Sequence, residues 1–508
     1  PTHLCGIAQA SNVAALEAFA FLSRMLSCVL DILFASEVNA MTRHASAWGL
    51  LLAVLLLSAM LYAAPLNFAE AYLWTAQTLM GETGQTAVWM LAAAALAVPA
   101  GKIADRTSRK GVLVTGILLF GAASFLGIFA KGMSGVVAAR GAQGIGAALI
   151  FATSQAILMR ECGGEQCGRA LGYATAATYT GLAMGPVIGG ILEYRMGWRA
   201  IFGTAFFISL AALLIAARAL PARLPEKKGL GSEKGAAVDL GLYIGAITAF
   251  IFGLTEFTRL KAAPYLTALG AALGISFVHR MRRSDTPLLD VRFLVRNRGY
   301  AFANLAALLQ YGATYAISYL LSVYLQEVKG FTPQRAGFVL IASPLVMALL
   351  SPLAGRLSDR ISPAKMAAVG MMVTTGSLLL LHFTKEESTV PFFVAGLMLS
   401  GLGSALFSSP NTKTVLSGVS GDALSTASSL LATMRSFGHT LSMAVVMLLV
   451  GIYLGEGTLR ETSPDAVVQT VRTAFLLFSG FSAGGALLAF CSEMKVPSAK
   501  RKSRDGGS

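Results

Sequence analysis

The amino-acid sequence predicts an all-α protein that crosses a lipid bilayer many times. Of its 508 residues, 55% are hydrophobic and 13% are charged, and the mean hydropathy is +0.67. A soluble multidomain protein of this length needs a more polar surface. The apolar residues occur in stretches of about 20, as a spanning helix requires, and they lack the alternation of membrane β-barrel strands. The composition therefore excludes soluble, collagen-like and disordered classes.

About fourteen apolar stretches follow Ser46, each bounded by charged or turn residues. Lys and Arg are concentrated in alternate loops, which predicts a multi-pass protein of the cell membrane with both termini in the cytoplasm. The predicted helices start near Ala47, Thr86, Gly111, Ser134, Arg169, Arg199, Ala237, Ala263, Ala301, Gly337, Ala364, Pro391, Leu424 and Thr470.

Residues 1–45 differ from the rest. This segment carries Glu17, Arg24 and Asp31 at seven-residue intervals, which places them on one stripe of an otherwise apolar helix. Charges at the bilayer centre are costly, so we expect an interfacial helix or a spurious extension upstream of Met41. A basic region typical of a signal peptide is missing.

The net charge of +15, from 40 Lys and Arg against 25 Asp and Glu, reflects this topology. Basic stretches such as 280–283 are short and lack interleaved aromatic residues, so we expect no nucleic-acid partner. The five cysteines are odd in number and include no CxxC pair. We therefore expect neither a disulfide framework nor a metal site.

A short sequence pattern occurs twice. The segment GKIADRTSRK begins at Gly101 after the second stretch, and GRLSDRISPAK begins at Gly355 after the tenth, about 250 residues later. Both contain G-x-x-x-D-R in a short predicted cytoplasmic turn. Repeated halves of this kind are typical of secondary transporters.

Together with further motifs in matching order, this repeat resembles the major facilitator superfamily, and in particular its fourteen-span drug:proton antiporter branch. The resemblance extends from about Trp48 to Cys491. The stretches that carry it are 101–110, 140–148, 181–190, 197–202, 287–293 and 304–305.

The resemblance implies the major facilitator fold, with two six-helix bundles, two inserted helices and alternating access. The expected segments are an N-terminal bundle at 46–219, a linker at 220–236, an inserted pair at 237–280, a cytoplasmic loop at 281–298, a C-terminal bundle at 299–492 and a basic tail at 493–508.

The repeated turns are candidates for a conformational latch, which the resemblance implies. A carboxylate among cations at a helix end can form ion pairs and can also approach a helix N-terminus. A solvated cluster that only reports topology is the alternative. The proposed latch residues are Gly101, Asp105, Arg106, Arg109, Gly355, Asp359 and Arg360.

Arg140 lies in an otherwise apolar stretch, where an unpaired guanidinium is costly. Gln143 lies on the same helical face and can share its hydrogen bonds. The resemblance implies a role for both residues in proton coupling. In the alternative interpretation, Arg140 extends to the outer membrane interface.

A glycine-rich stretch in the fifth predicted helix matches the family's antiporter pattern. Gly181, Gly185 and Gly189 form a stripe that permits close helix packing, and Pro186 permits a bend. The resemblance associates Gly181, Gly185, Pro186, Gly189 and Gly190 with export.

The sequence departs from the family at Ser108, where the family usually has glycine, and in the first predicted helix. Fourteen-span drug exporters usually carry an aspartate in the first helix, about nine residues before a proline, and here Leu56 stands at that distance from Pro65. The proton must then bind elsewhere, and Glu70, Glu193 and Glu256 are candidates if they turn inward. A pocket without an acid favours neutral or anionic substrates over lipophilic cations.

Polar and aromatic residues in spanning helices tend to face the interior. They provide a candidate substrate cavity of Tyr62, Trp89, Asn304, Gln310, Tyr311 and Arg435. Lys413 is interpreted as a boundary residue. His439 is interpreted as structural, with a proton relay as the alternative.

These features predict a proton-coupled exporter of a small amphipathic molecule, with a proton-coupled uptake symporter of a neutral or anionic solute as the alternative. No catalytic or nucleotide-binding motif occurs, so an enzyme is not expected. The expected partners are the bilayer, a small substrate and protons. We expect no cofactor, and we expect a monomer driven by the proton gradient.

Overall fold

The computed structural model describes residues 84–162, 166–219, 236–255, 261–284, 287–453 and 464–493. The regular secondary structure of these residues is helical, as predicted. Five helices form the first half of the described chain. They are α1 (Gly84–Arg106), α2 (Arg109–Ile128), α3 (Met133–Glu161), α4 (Cys167–Met196) and α5 (Arg199–Ala219).

An inserted pair follows, and the second half of the chain comes after it. The inserted helices are α6 (Ala236–Thr255) and α7 (Ala263–Arg283). The second half comprises α8 (Val291–Arg296), α9 (Arg298–Val323), α10 (Pro333–Leu340), α11 (Ala342–Arg360), α12 (Pro363–His382), α13 (Val390–Ser417), α14 (Leu424–Tyr453) and α15 (Pro464–Cys491).

Many helix starts lie where the hydrophobic pattern places them. The predicted starts at Arg199, Ala263 and Leu424 coincide with those of α5, α7 and α14. The start predicted near Thr470 lies too late, because α15 begins at Pro464 with a polar first turn that a hydrophobicity pattern does not detect.

One predicted span consists of two helices. The stretch expected from Gly337 begins at Pro333 and is interrupted between α10 and α11 at Ile341. Pro344 causes this break, because it lacks an N–H group and its ring crowds the carbonyl four residues earlier.

The described helices have the dimensions of membrane spans. Nine helical segments in the described ranges are long and apolar enough to cross a bilayer. In addition, α1, α4, α7 and α9 contain 23, 30, 21 and 26 residues, about the length that a span requires.

Tight turns follow both copies of the repeated sequence pattern. Ser108 accepts a hydrogen bond from the Gly111 N–H at 3.1 Å and caps α2. Ser362 holds the equivalent position before α12 and accepts from the Lys365 N–H. Ser108 stands where the family usually has glycine, and its extended φ of −135° needs no glycine.

The first inserted helix, α6, packs against helices of both halves. The Tyr243 hydroxyl on α6 lies 3.4 Å from the Ala94 carbonyl oxygen on α1 and 3.3 Å from Thr433 Oγ1 on α14. The Phe250 ring on α6 meets the Phe437 ring on α14 with centroids 5.9 Å apart. Helix α6 therefore contacts the junction where α1 and α14 meet.

Candidate functional site

Asp105 lies one residue before the end of α1 and caps the N-terminus of α14. Its Oδ1 accepts from the Ser425 N–H at 3.0 Å, and its Oδ2 accepts from the N–H and hydroxyl of Thr426, both at 2.8 Å. The first N–H groups of a helix lack partners within the helix, and the helix dipole makes that end positive. A carboxylate from the first half thus satisfies a helix N-terminus of the second half.

Arg109 links Asp105 to the turn that precedes α14. Its Nη2 donates to Asp105 Oδ1 at 2.8 Å and to the Gly421 carbonyl at 2.5 Å, and its Nε donates to Ser425 Oγ at 2.8 Å. The side chains of Arg109 and Asp105 are only 9% and 5% exposed. Loss of one member of a buried ion pair leaves the other charge uncompensated and destabilises a structure by about 3 to 5 kcal/mol.

Asp359 makes the corresponding contact between α11 and α4. Its Oδ1 accepts from the Gly168 N–H at 2.8 Å, and its Oδ2 accepts from the Arg169 N–H at 2.9 Å. Lys413 on α13 donates to Asp359 Oδ1 at 2.6 Å and to the Ser358 carbonyl at 2.9 Å. We name these two contact regions the Asp105 seam, between α1 and α14, and the Asp359 seam, between α11 and α4.

Glycines permit the close approach of the helices in both seams. A Cβ atom on Gly101 would lie 2.1 Å from Ser429 Oγ on α14. A Cβ atom on Gly355 would lie 2.3 Å from the Gly168 carbonyl oxygen on α4. Each glycine precedes its carboxylate by one helical turn, so the repeated G-x-x-x-D pattern places a close contact beside a helix cap.

The cation at the Asp359 seam differs from the one that the sequence suggests. Arg360 is exposed, and the partner of Asp359 is Lys413, which the sequence predicts only as a boundary residue. Neighbouring residues on a helix point about 100° apart, so Arg360 projects away from Asp359. The isolated lysine near the end of an apolar helix is the signal that could identify Lys413 from sequence.

Arg140 is buried inside the first half. It is 8% exposed, and its Nη1 donates to Gln143 Oε1 at 3.1 Å. Gln143 Nε2 donates in turn to Ser124 Oγ on α2 at 2.8 Å, and the guanidinium carbon lies 5.0 Å from the centre of the Phe202 ring on α5. The group is therefore held among α2, α3 and α5.

Two predicted cavity residues meet near the junction of the halves. The guanidinium carbon of Arg435 on α14 lies 4.8 Å from the centre of the Tyr311 ring on α9. The Tyr311 hydroxyl lies 3.3 Å from Ser408 Oγ on α13. Tyr179 on α4, which is not among the residues predicted from the sequence, neighbours Tyr311, Ser408 and Arg435. The cluster thus includes a residue from the first half.

His439 and Tyr315 extend this cluster along the same two helices. Their rings stack with centroids 4.2 Å apart and an interplanar angle of 21°. The Tyr311 ring meets His439 edge-on, with centroids 5.6 Å apart. On a helix, residues four apart lie on the same face. This spacing identifies His439 and Tyr315 as neighbours of Arg435 and Tyr311.

Gln310 and Asn304 lie apart from this cluster. Gln310 Nε2 donates to Thr374 Oγ1 on α12 at 3.0 Å, and Ser482 on α15 donates to Gln310 Oε1 at 3.4 Å. Asn304 is 3% exposed and donates to the Tyr300 carbonyl one turn earlier on α9. Both amides are therefore packed within the second half.

Several predicted residues fall outside the described part of the molecule. Tyr62, Glu70 and Glu256 lie outside the described residues. Gly181 is buried in α4. The side chains of Trp89 and Glu193 and the surroundings of Gly185, Pro186, Gly189 and Gly190 lie outside what the structure describes, although their helices are described.

The acidic residues of the described chain lie near helix ends or in connections. Asp239, at the start of α6, pairs with Arg280 at the end of α7. The acidic positions in the described ranges are Asp105, Glu161, Glu193, Asp239, Asp290, Glu327, Asp359, Glu386, Glu387, Asp422, Asp465 and Glu493.

Long apolar helices in two halves, joined through repeated capped seams, define a polytopic transporter built from structural repeats. The sequence pattern of the Major Facilitator Superfamily matches residues 46–294 and 303–508. The chain therefore belongs to the Major Facilitator Superfamily.

Characterised relatives include transporters of two descriptions. The riboflavin transporter RibZ of Clostridioides difficile is 28% identical over 364 residues, which cover 70% of this chain and 78% of that protein. The multidrug resistance protein Stp of Mycobacterium tuberculosis is 30% identical over 417 residues, which cover 79% of this chain and 75% of Stp. The match to Stp supports a drug-efflux type of transporter within the superfamily.

A solved structure shares the fold. The human organic anion transporter MFSD10 matches with a TM-score of 0.61 at 14% identity, and the match covers 88% of this chain and 99% of that one. The predicted all-α major facilitator fold is thereby confirmed.

Proposed function

We propose that this chain is a secondary-active transporter that exports a small amphipathic molecule in exchange for protons. The observation that carries the proposal is the pair of equivalent seams, in which Asp105 and Asp359 each cap a helix of the opposite half. Two rigid halves that rock around a central site must break and re-form such contacts in each cycle.

The seams act as a latch on the cytoplasmic side in this proposal. Each consists of a carboxylate, two backbone donors and a cation, so its formation stabilises one state by a few kcal/mol. Substrate binding must offset this free energy before the halves can separate at that end, because a ligand shifts an equilibrium only by its differential affinity.

Arg140 and Gln143 belong to the proton-coupling machinery in this proposal. Their support is a buried, hydrogen-bonded guanidinium between α2, α3 and α5. Glu70, Glu193 and Glu256 are proposed as proton-binding candidates, and the proton gradient replaces any cofactor. The protein is proposed to act as a monomer in the cell membrane with both termini in the cytoplasm.

Transport in proteoliposomes tests this function. Purified protein is reconstituted without ATP, a pH jump is imposed, and the uptake of labelled cationic, neutral and anionic compounds is measured. Uptake that requires an acidic vesicle interior supports proton exchange and export. Uptake that requires an acidic exterior supports the symporter, and transport that ignores the pH gradient contradicts proton coupling.

We expect lipophilic cations to be the poorest substrates in this assay. The described spans place their acids near helix ends, the first predicted span carries Leu56 in place of an aspartate, and Arg435 adds positive charge at the junction. A buried cation without a counter-charge is destabilised by several kcal/mol, so we expect uptake at least tenfold below that of neutral compounds. Robust transport of a permanent dication is the contrary result.

Gly355→Val is expected to prevent closure of the Asp359 seam. The new side chain would collide with the Gly168 backbone, where even a Cβ atom would lie 2.3 Å from the carbonyl oxygen. We expect pH-driven transport to fall by about tenfold or more. Gly376→Val on α12 is the matched control, because a Cβ atom there meets nothing within 4 Å. Equal transport by both variants would show that the Asp359 seam has no role in the transport mechanism.

A further inference from the structure

Two pairs of side chains form a regular ladder between α9 and α14. Tyr311 and Tyr315 are four residues apart on α9, and Arg435 and His439 are four residues apart on α14, so each pair occupies one helical face. The two backbones approach closely beside them, because a Cβ atom on Gly438 would lie 2.9 Å from the Gly312 nitrogen. This approach brings the two faces into direct contact.

One contact within the ladder orients a group that can bind an anion. The Tyr311 ring lies against Arg435 as a cation–π contact, with 4.8 Å from guanidinium carbon to ring centre. The N–H donors of a guanidinium lie in its plane and form a fork that matches a carboxylate. The Tyr311 ring contacts the Arg435 guanidinium and thereby orients its N–H donors.

The stacked side chains of His439 and Tyr315 present an aromatic surface. His439 stacks on Tyr315 at 4.2 Å, and both side chains are partly exposed within a membrane-spanning region. A planar substrate ring that contacts this pair continues an existing stack, which favours flat aromatic molecules. The spacing of one helical turn places Arg435 about 6 Å from the stacked pair, the scale of a fused ring system with one acidic group.

The ladder also adjoins a residue of the opposite half. Tyr179 on α4 neighbours Tyr311 and Arg435. A ligand held here therefore contacts groups whose separation changes when the halves rock, as a transported substrate must.

We propose that Arg435, His439, Tyr311 and Tyr315 form the binding site for a planar aromatic substrate that carries a carboxylate or a similar acidic group. The acidic group binds the Arg435 guanidinium, and the ring stacks on the His439 and Tyr315 pair. This inference rests on the proposed function, since it names the substrate class of the same transporter.

Binding to the purified full chain in phosphatidylcholine nanodiscs tests the inference with matched probes. The probes are 2-naphthoate, the neutral 2-naphthylmethanol and the non-aromatic cyclohexanecarboxylate, with empty nanodiscs as background. We expect 2-naphthoate to bind at least about tenfold more tightly than either of the others, because only it uses both the guanidinium and the stack.

Variants separate the two contributions. Arg435→Gln is expected to weaken the binding of 2-naphthoate by about tenfold or more and the binding of 2-naphthylmethanol by less than about threefold. His439→Leu is expected to weaken the binding of both naphthyl compounds. His439→Phe is expected to restore their binding, because it keeps a ring at this position. Arg472→Gln, at an exposed position on α15, is the control and leaves all three affinities unchanged.

Two results would overturn the inference. One is the absence of 2-naphthoate binding to the wild type, and the other is an Arg435→Gln variant that weakens the acid and the alcohol equally. Either result leaves the proposed function standing if pH-driven uptake of other compounds persists in proteoliposomes. Conversely, selective binding without any pH-driven uptake supports the site and contradicts the proton-coupled exporter.

Discussion

The Asp105→Asn variant is expected to lose most of its transport activity while it still inserts into the membrane. Asparagine keeps the size of the side chain but removes the charge that binds Arg109 and caps α14. Breaking such a buried, hydrogen-bonded pair destabilises the contact by about 3 kcal/mol, which corresponds to more than a hundredfold change in an equilibrium constant. We therefore expect pH-driven transport to fall by at least about tenfold.

Two further variants provide the comparisons for this result. Asp359→Asn is expected to give a similar but smaller loss, because the side chains of Asp359 and Lys413 are 13% and 14% exposed and are better solvated. Glu387→Gln removes an exposed carboxylate in the connection between α12 and α13 and is expected to stay within twofold of the wild type. Transport by Asp105→Asn at the rate of this control would show that the Asp105 seam does not govern the cycle.

Arg140→Ala is the second substitution with a large expected effect. It removes a buried guanidinium and leaves Gln143 without one of its hydrogen-bond partners. We expect transport driven by a pH gradient to fall by at least about tenfold, because the group proposed to couple transport to protons is lost. Substrate counterflow, which needs no net proton movement, is expected to persist.

Arg199→Ala is the matched control for this experiment. Arg199 also contacts an aromatic ring, with its guanidinium carbon 4.3 Å from the centre of the Trp198 ring, and it donates to the carbonyls of Ile128 and Ala130. It is exposed, so its loss is expected to leave coupling intact. Unchanged pH-driven transport by Arg140→Ala would exclude Arg140 from the coupling mechanism.

Much of the fold can be predicted from the sequence because lipid restricts the possible structures. The bilayer fixes helix length, and apolar runs bounded by charges mark helix starts, as at Arg199, Ala263 and Leu424. The break at Ile341 is less apparent, because Pro344 can bend a helix or interrupt it. The start of α15 is missed, because its first turn is polar and the hydrophobic pattern marks only apolar residues.

The candidate site is only partly accessible to sequence reasoning. A repeated motif identifies Asp105 and Asp359, but the helix that each caps depends on which helices face each other across the halves. The same limit hides Lys413 as the partner of Asp359 and Tyr179 as a neighbour of Arg435. Helical periodicity shows which residues share a face, and tertiary packing decides what that face contacts.

A distance measurement across the Asp105 seam tests the central claim most directly. Spin labels are placed at Ile103 and Ser420, both exposed beside the seam, in full-length protein whose native cysteines are replaced by serine. Pulsed dipolar spectroscopy in nanodiscs then reports the separation of the halves at this end. The latch account predicts a dominant short distance that shifts to a longer one in the Asp105→Asn, Asp359→Asn double variant. Identical distance distributions in the two proteins would contradict it.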